Sequence, residues 1–228
     1  MYHNFVYNNH QYHIEHNAAD RGRDLRVLVH EIFRHRTYIT EHCNIRRGNV
    51  VLDGGANLGL FSLFAAACGA SLIFAVEPNK ESCVFLKRNM CANAPDTRLS
   101  TIEKALWDVA CSDGDRLHLR AGKHAAGSRI VSSTTSHSYK VESTTIDSLG
   151  IEPDFIKLDT EGCEMRILRG AVNTIRRCRP RLSICLYHYP KDIEEIPAFV
   201  NSLGLGYRQE ITPGVVLHGR AYPVGHWS

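Results

Sequence analysis

The sequence predicts a Rossmann-like, doubly wound α/β fold with a mostly parallel sheet and helices on both faces. Three observations carry this expectation. From Asn49 onward, short apolar runs alternate with amphipathic stretches, the signature of parallel strands joined by crossover helices. The first run, Val50 to Leu52, opens directly into the glycine turn Asp53-Gly54-Gly55-Ala56-Asn57-Leu58-Gly59. A later run, Phe155 to Leu158, ends in Asp159, Glu161 and Glu164, at the sheet edge where open α/β folds collect ligands.

Taken in order, Phe5 to Ile14 alternates apolar and polar residues around Asn8-Asn9, which predicts a hairpin with a tight turn. Asp20 is a candidate N-cap for a helix whose apolar face is Leu25, Leu28, Val29, Ile32 and Phe33 and which ends near Tyr38. Residues 1–48 therefore read as an accessory cover and 49–228 as the main domain. Within the latter, Val50–Leu52, Ser71–Val76, Phe155–Leu158 and Leu182–Tyr187 are expected strands. Leu58–Cys68, Lys80–Cys91, Glu164–Arg176 and Ile193–Leu203 are the helices between and after them. Asp113 to Thr145, rich in Ser, Thr, Gly and His, breaks the rhythm and reads as short strands or loops over the sheet edge. Tyr207 to His218, with Pro213-Gly214 at its centre, reads as a terminal antiparallel pair.

The chain has 228 residues, 43% of them hydrophobic and 22% charged, enough for one buried core and near globular averages. No stretch reaches the roughly 18 apolar residues of a membrane span. Met1 to His16 lacks a secretory pattern, and none of the eight cysteines forms a C-x-x-C pair, so reduced thiols in the cytoplasm are expected. The net charge of +3 gives no strong case for a nucleic-acid surface. His3, His10, His13 and His16 lack metal-ligand spacing and are expected at the surface.

Glycines in the turn let the backbone bend sharply and a ligand approach main-chain N–H groups. A dinucleotide is disfavoured, because the position that must approach a pyrophosphate is Ala56 and Asp53 would repel phosphate. A carboxylate there suits the ammonium and sulfonium charges of S-adenosylmethionine. Glu77, at the end of the next expected strand, is placed to accept both ribose hydroxyls, with capping of the helix after Pro78 as the alternative. The expected cofactor-binding residues are Asp53, Gly55, Asn57, Gly59, Glu77 and Ala105.

Asp159 is the first candidate for removing or orienting an acceptor proton and Glu161 the second. The alternative is that Asp159 caps the next helix and Glu164 complements its positive end. His188, expected at the end of the next strand, is a third candidate, as base or orienting group. Lys157 pairs with a pocket acid or reaches solvent. Paired acids also raise a divalent metal, but no third oxygen ligand can be identified in the sequence, so no metal ligand is assigned.

The segments Thr145-Ile146-Asp147-Ser148-Leu149, Asp154 to Glu164, Leu168 to Ala171 and Arg179 to Leu182 together resemble the FkbM-type branch of class I S-adenosylmethionine-dependent methyltransferases. Asp53 to Gly59, Glu77-Pro78 and Leu186 to Asp192 are similar to that family's cofactor loop, ribose acid and segment after the fifth strand. Asn57 and Asn89 fall where it carries asparagines. The resemblance spans roughly Val50 to Tyr207. It implies a seven-stranded sheet with one reversed strand and O-methylation of a sugar or natural-product hydroxyl. Gly54 and Thr160 depart from its pattern, since aliphatic residues are usual there. A nucleic-acid amine methyltransferase would place a proline-rich aromatic step where Asp159-Thr160-Glu161-Gly162 stands, so a small-molecule or saccharide acceptor, with no nucleic acid and no membrane, is the expected partner. A cofactor-binding module without turnover is the main non-enzyme alternative.

Overall fold

The computed structural model describes residues 1–17, 22–111, 117–120, 129–131, 138–217 and 220–228. Strands β1 (Tyr2–Tyr7) and β2 (His10–Glu15) form the expected antiparallel hairpin. Asn8 and Asn9 both take positive φ, 48° and 60°, as a two-residue turn matched to strand twist requires. Helix α1 (Gly22–Val29) follows and runs into a π-helical turn, His30–Arg34. The helix thus ends short of Tyr38, and the candidate cap Asp20 lies outside the described residues.

The main sheet starts with β3 (Val50–Gly54), then α2 (Leu60–Ala67), β4 (Leu72–Val76), α3 (Lys80–Asn93) and β5 (Arg98–Ile102). The short strands β6 (Ala105–Leu106), β7 (Leu117–Arg120), β8 (Arg129–Val131), β9 (Ser138–Val141) and β10 (Ser143–Thr144) come next. β8, β7 and β9 form an antiparallel sheet of their own, and β6 pairs with β10, which resolves the irregular stretch into short strands where it is described. Then come β11 (Phe155–Leu158), α4 (Glu164–Arg169), α5 (Val172–Cys178), β12 (Arg181–Cys185), α6 (Asp192–Ser202), β13 (Gln209–Thr212), β14 (Val216–Leu217), β15 (Arg220–Ala221) and β16 (Val224–Trp227).

Among the described residues, seven strands make the main sheet in the order β13-β16-β12-β11-β3-β4-β5. All are parallel except β16, which runs antiparallel to both neighbours. The terminal segment thus differs from expectation: β14 and β15 form a small pair, while β13 joins the main sheet beside β16. The expected single helix after β11 is two, separated at Gly170-Ala171, where Gly170 packs so close that a Cβ would lie 2.4 Å from the Trp107 carbonyl.

Alternation along the strands builds a core on each face. Val51, Ile73 and Phe155 point into one layer with α2, α3, the π turn and the hairpin; Leu52, Ile156, Leu182, Ile184 and Trp227 point into the other with α4, α5 and α6. Phe5, Tyr12, Phe33 and Phe64 tie the hairpin to α2 through ring contacts of 4.7 to 5.6 Å. Asn93 and Asn89, one turn apart on α3, each accept an N–H of β2 (His13 and Glu15, both 2.7 Å) and donate back to the carbonyl of the same residue. His16, expected at the surface, is buried next to this seam, its Nδ1 bonded to the Asn17 carbonyl.

Candidate active site

The carboxyl ends of β3, β4 and β11 open onto a cleft whose empty space, including the part open to solvent, is about 950 Å³. Its floor is the glycine turn. Gly55 (φ 73°), Asn57 (φ 50°) and Gly59 (φ 85°) alternate in left-handed conformations, so the chain folds back on itself before α2. Gly55 admits no side chain, since a Cβ would stand 2.0 Å from the Asp159 carbonyl oxygen. The turn and the Asp159 loop are therefore in backbone contact, which brings the two sequence constellations together.

Beneath the turn, Lys157 is buried and its Nζ donates to Asp53 Oδ1 at 3.1 Å and to the carbonyls of Gly54 and Gly55 at 3.2 and 3.0 Å. Ser62 donates to the other Asp53 oxygen at 2.8 Å. The Asp53 carboxylate is thus occupied inside the protein and does not line the cleft, so the direct attraction to a cationic cofactor expected from the sequence does not operate; Asp53 instead anchors Lys157. Gly59 is likewise off the cleft wall, and its role is steric: a Cβ would press on Leu86 of α3 at 3.1 Å. Gly55, Asn57, Glu77 and Ala105 do line the cleft.

Glu77 is held by two backbone N–H groups, Asn57 to Oε2 at 2.9 Å and Asn79 to Oε1 at 2.8 Å. Asn79, not Glu77, caps α3. Each Glu77 oxygen keeps a second acceptor position, and burial raises its pKa to about 6 against the lowering effect of those N–H groups. Asn57 Oδ1 is buried without a protein partner. The spare acceptor positions of Glu77 and the unpartnered Asn57 Oδ1 fit the hydroxyl and ammonium donors of an adenosyl amino acid.

Asp159, Thr160 and Glu161 form the opposite wall. Tyr38 donates to Asp159 Oδ2 at 2.7 Å and Tyr187 to Oδ1 at 3.2 Å. Burial would raise the Asp159 pKa, but Lys157, His188 and the Tyr38 hydroxyl together bring it below the usual carboxylate value. Glu161 takes a positive φ (56°) before Gly162 (97°), a conformation that costs a non-glycine residue and is found at functional sites. Its pKa is raised, by burial and then by Asp159 and Glu164. Neither residue caps α4, whose N-cap position is Cys163.

His188 does not line the cleft; it stands behind the acids, Nε2 at 3.5 Å from Asp159 and 3.8 Å from Glu161, Nδ1 at 3.1 Å from Glu164 Oε1. Burial would lower its pKa, but Glu164 and then Asp159 and Glu161 raise it to about 9, which suits the orienting role better than that of a base.

Both departures from the family pattern have local reasons. A Cβ on Gly54 would meet Leu158 Cδ2 at 2.8 Å and Leu106 Cδ1 at 3.1 Å; these leucines fill the space an aliphatic residue would take. Thr160 uses its hydroxyl, donating to Glu164 Oε1 at 3.0 Å beside its own N–H at 2.7 Å. No local pattern marks Tyr38 and Tyr187 as partners of Asp159, because 121 and 28 residues separate them from it.

A seven-stranded sheet with one reversed strand, a glycine turn after the first strand and a ribose-type acid after the second define a methyltransferase of the S-adenosylmethionine-dependent α/β class. A family profile described as Methyltransferase FkbM domain matches residues 53–208, and the chain belongs to that family; its cofactor is S-adenosylmethionine. No curated protein matches the sequence. Among solved structures, the FkbM methyltransferase of Methylobacillus flagellatus KT superposes with a TM-score of 0.64 at 17% identity, over 81% of this chain and 44% of that one. The chain therefore spans less than half that protein's length. Precorrin-6y C5,15-methyltransferase of Geobacter metallireducens GS-15 gives 0.51 at 13% identity, over 86% and 88% of the two chains. The Pyrococcus abyssi tRNA (uracil-54, C5)-methyltransferase, solved with S-adenosyl-L-homocysteine, gives 0.51 at 14% identity, over 100% and 44%. Both share the fold. No helix among the described residues is long and apolar enough to cross a membrane.

Proposed function

We propose that this methyltransferase O-methylates a hydroxyl of a sugar or natural-product small molecule. The observation that carries the reading is the pair Asp159 and Glu161 on the wall facing the glycine turn and Glu77 across one cleft. The bound cofactor supplies an electrophilic methyl group on a sulfonium. A neutral hydroxyl attacking it must lose a proton, and a carboxylate within reach is the group for that work. Both Asp159 oxygens already accept tyrosine hydroxyls, so Asp159 orients the acceptor and Glu161 takes the proton. The loop bearing them holds no proline or aromatic residue on which to stack a base, which favours a small acceptor over nucleic acid. Residues 1–48 act as a cover that supplies Leu28, Ile32 and Tyr38 to the cleft wall. All eight cysteines are free thiols, which suits a cytoplasmic setting.

The test is transfer of label from methyl-labelled S-adenosylmethionine to a panel of glycosides and hydroxylated small molecules, with amines and RNA as controls. Ether products, with turnover lowered by about 10²- to 10⁴-fold in Glu161→Gln while S-adenosylhomocysteine still binds, support the reading. Label appearing only on amines or RNA would sink it, and binding without any product would make the chain a cofactor-binding module.

A further inference from the structure

The acid cluster at the carboxyl edge of β11 and β12 contains a third ligand type that sequence spacing could not reveal. Asp159 ends β11, Glu164 opens α4 and His188 follows β12, and one ligand atom from each lies within 4.8 Å of the other two. We propose that Asp159, Glu164 and His188 bind a divalent transition-metal ion.

Two carboxylates and an imidazole are a donor set for Mn²⁺, Fe²⁺, Co²⁺ or Zn²⁺ rather than for Ca²⁺ or Mg²⁺, which prefer all-oxygen shells. Glu164 is 1% exposed, and while its Oε1 accepts from Thr160, its Oε2 has no protein partner. A buried carboxylate oxygen without a donor is costly. His188 Nδ1 is also buried, 3.1 Å from Glu164 Oε1. An ion held between the three side chains gives the unpartnered carboxylate oxygen a use and displaces the proton that the acids hold on His188. The outer partners that metal ligands require are in place: Tyr38 and Tyr187 on Asp159, and the Thr160 N–H and hydroxyl on Glu164. Binding does not depend on which acceptor is methylated.

The test is titration of chelator-treated full-length protein with Mn²⁺, which thiols bind weakly, followed by paramagnetic resonance and calorimetry. The expected result is one equivalent bound at micromolar affinity, nitrogen hyperfine coupling from one imidazole in the wild-type protein, and affinity reduced by about tenfold or more in Glu164→Gln and His188→Ala. Binding of S-adenosylhomocysteine by both variants reports that they fold. Absence of saturable binding at millimolar Mn²⁺, absence of nitrogen coupling in the wild type, or wild-type affinity in folded variants would each overturn the site. None of these outcomes bears on whether methyl transfer occurs.

Discussion

Lys157 and Asp53 form a buried ion pair, Nζ to Oδ1 at 3.1 Å with side chains 4% and 0% exposed, directly beneath the glycine turn. The same ammonium donates to the Gly54 and Gly55 carbonyls and lies 5.5 Å from the Tyr38 ring and 5.6 Å from the Phe61 ring. Each of its protons thus fixes one part of the turn. Removing one partner leaves a charge buried and uncompensated, which costs about 3–5 kcal/mol. Lys157→Met is therefore expected to lower the unfolding free energy by about that amount and to weaken S-adenosylhomocysteine binding. The double variant Asp53→Asn/Lys157→Met should recover part of the stability but not the affinity, because the loop carbonyls still lack their donor. Denaturant unfolding and calorimetry on the three proteins decide this; full affinity in Lys157→Met would remove the pair from loop organisation.

Glu77 gives cofactor binding a pH dependence with a definite sign. Burial raises its pKa to about 6, and the ionised form is the one that accepts ribose hydroxyls. Affinity for S-adenosylhomocysteine should be level well above pH 6 and fall as the pH drops through that value, approaching tenfold per unit below it. In Glu77→Gln the affinity should be weaker at neutral pH and flat across the same window. A wild-type profile that stays flat down to pH 5 would mean that the carboxylate does not contact the cofactor.

Beside the ring contacts of Phe5 and Tyr12, two amides hold the hairpin to the main domain. Asn89 and Asn93 each form a paired donor and acceptor contact with a β2 residue, and Asn89 Nδ2 also donates to the Leu58 carbonyl at 2.9 Å. Asn93→Ala strips partners from the His13 N–H and carbonyl, at a cost of about 1–3 kcal/mol. The loss should appear as faster amide exchange and protease cleavage within residues 10–16, with the main sheet unchanged. Uniform loss of protection across the sheet would show instead that the hairpin is an integral part of the fold.

How much of this was legible in the sequence follows from the range of the interactions. The alternation of apolar runs and helices is local, so the order of strands and helices, the Asn8-Asn9 turn and the placement of Asp159 and Glu161 at a sheet edge could all be read directly. Asp53 reads as a ligand group because its partner Lys157 lies 104 residues away, and a strand-end acid carries no local sign of the counter-ion that the fold supplies. The π turn at His30–Arg34 closes through the His35 N–H on the His30 carbonyl, and the helix breaks at Gly170 where its backbone approaches the Trp107 carbonyl; no periodicity records either. The last strand escaped notice because Val224-Gly225-His226-Trp227 is four residues long and buried on both faces, so it shows no alternation.

That last strand carries the clearest prediction for acid stability. His226 is 1% exposed between β12 and β13; its Nε2 lies 3.2 Å from Thr212 Oγ1, and its Nδ1 has no protein partner. Burial lowers its pKa to about 4, with Glu210 opposing only in part. The unfolded chain therefore takes up a proton near the ordinary value of 6.5 that the folded chain refuses until about pH 4, so stability falls as the pH drops through this window. The slope is about 1.4 kcal/mol per unit and the total roughly 3 kcal/mol. Above pH 7 the group contributes no pH dependence. His226→Phe, which keeps a planar ring but cannot take up a proton, should flatten this part of the profile, so that unfolding free energies at pH 7.5 and pH 4.5 differ by about 2.5 kcal/mol less than in the wild type. An unchanged difference in the variant would mean that other groups carry the acid sensitivity and that the strand tolerates a charged imidazole at its centre.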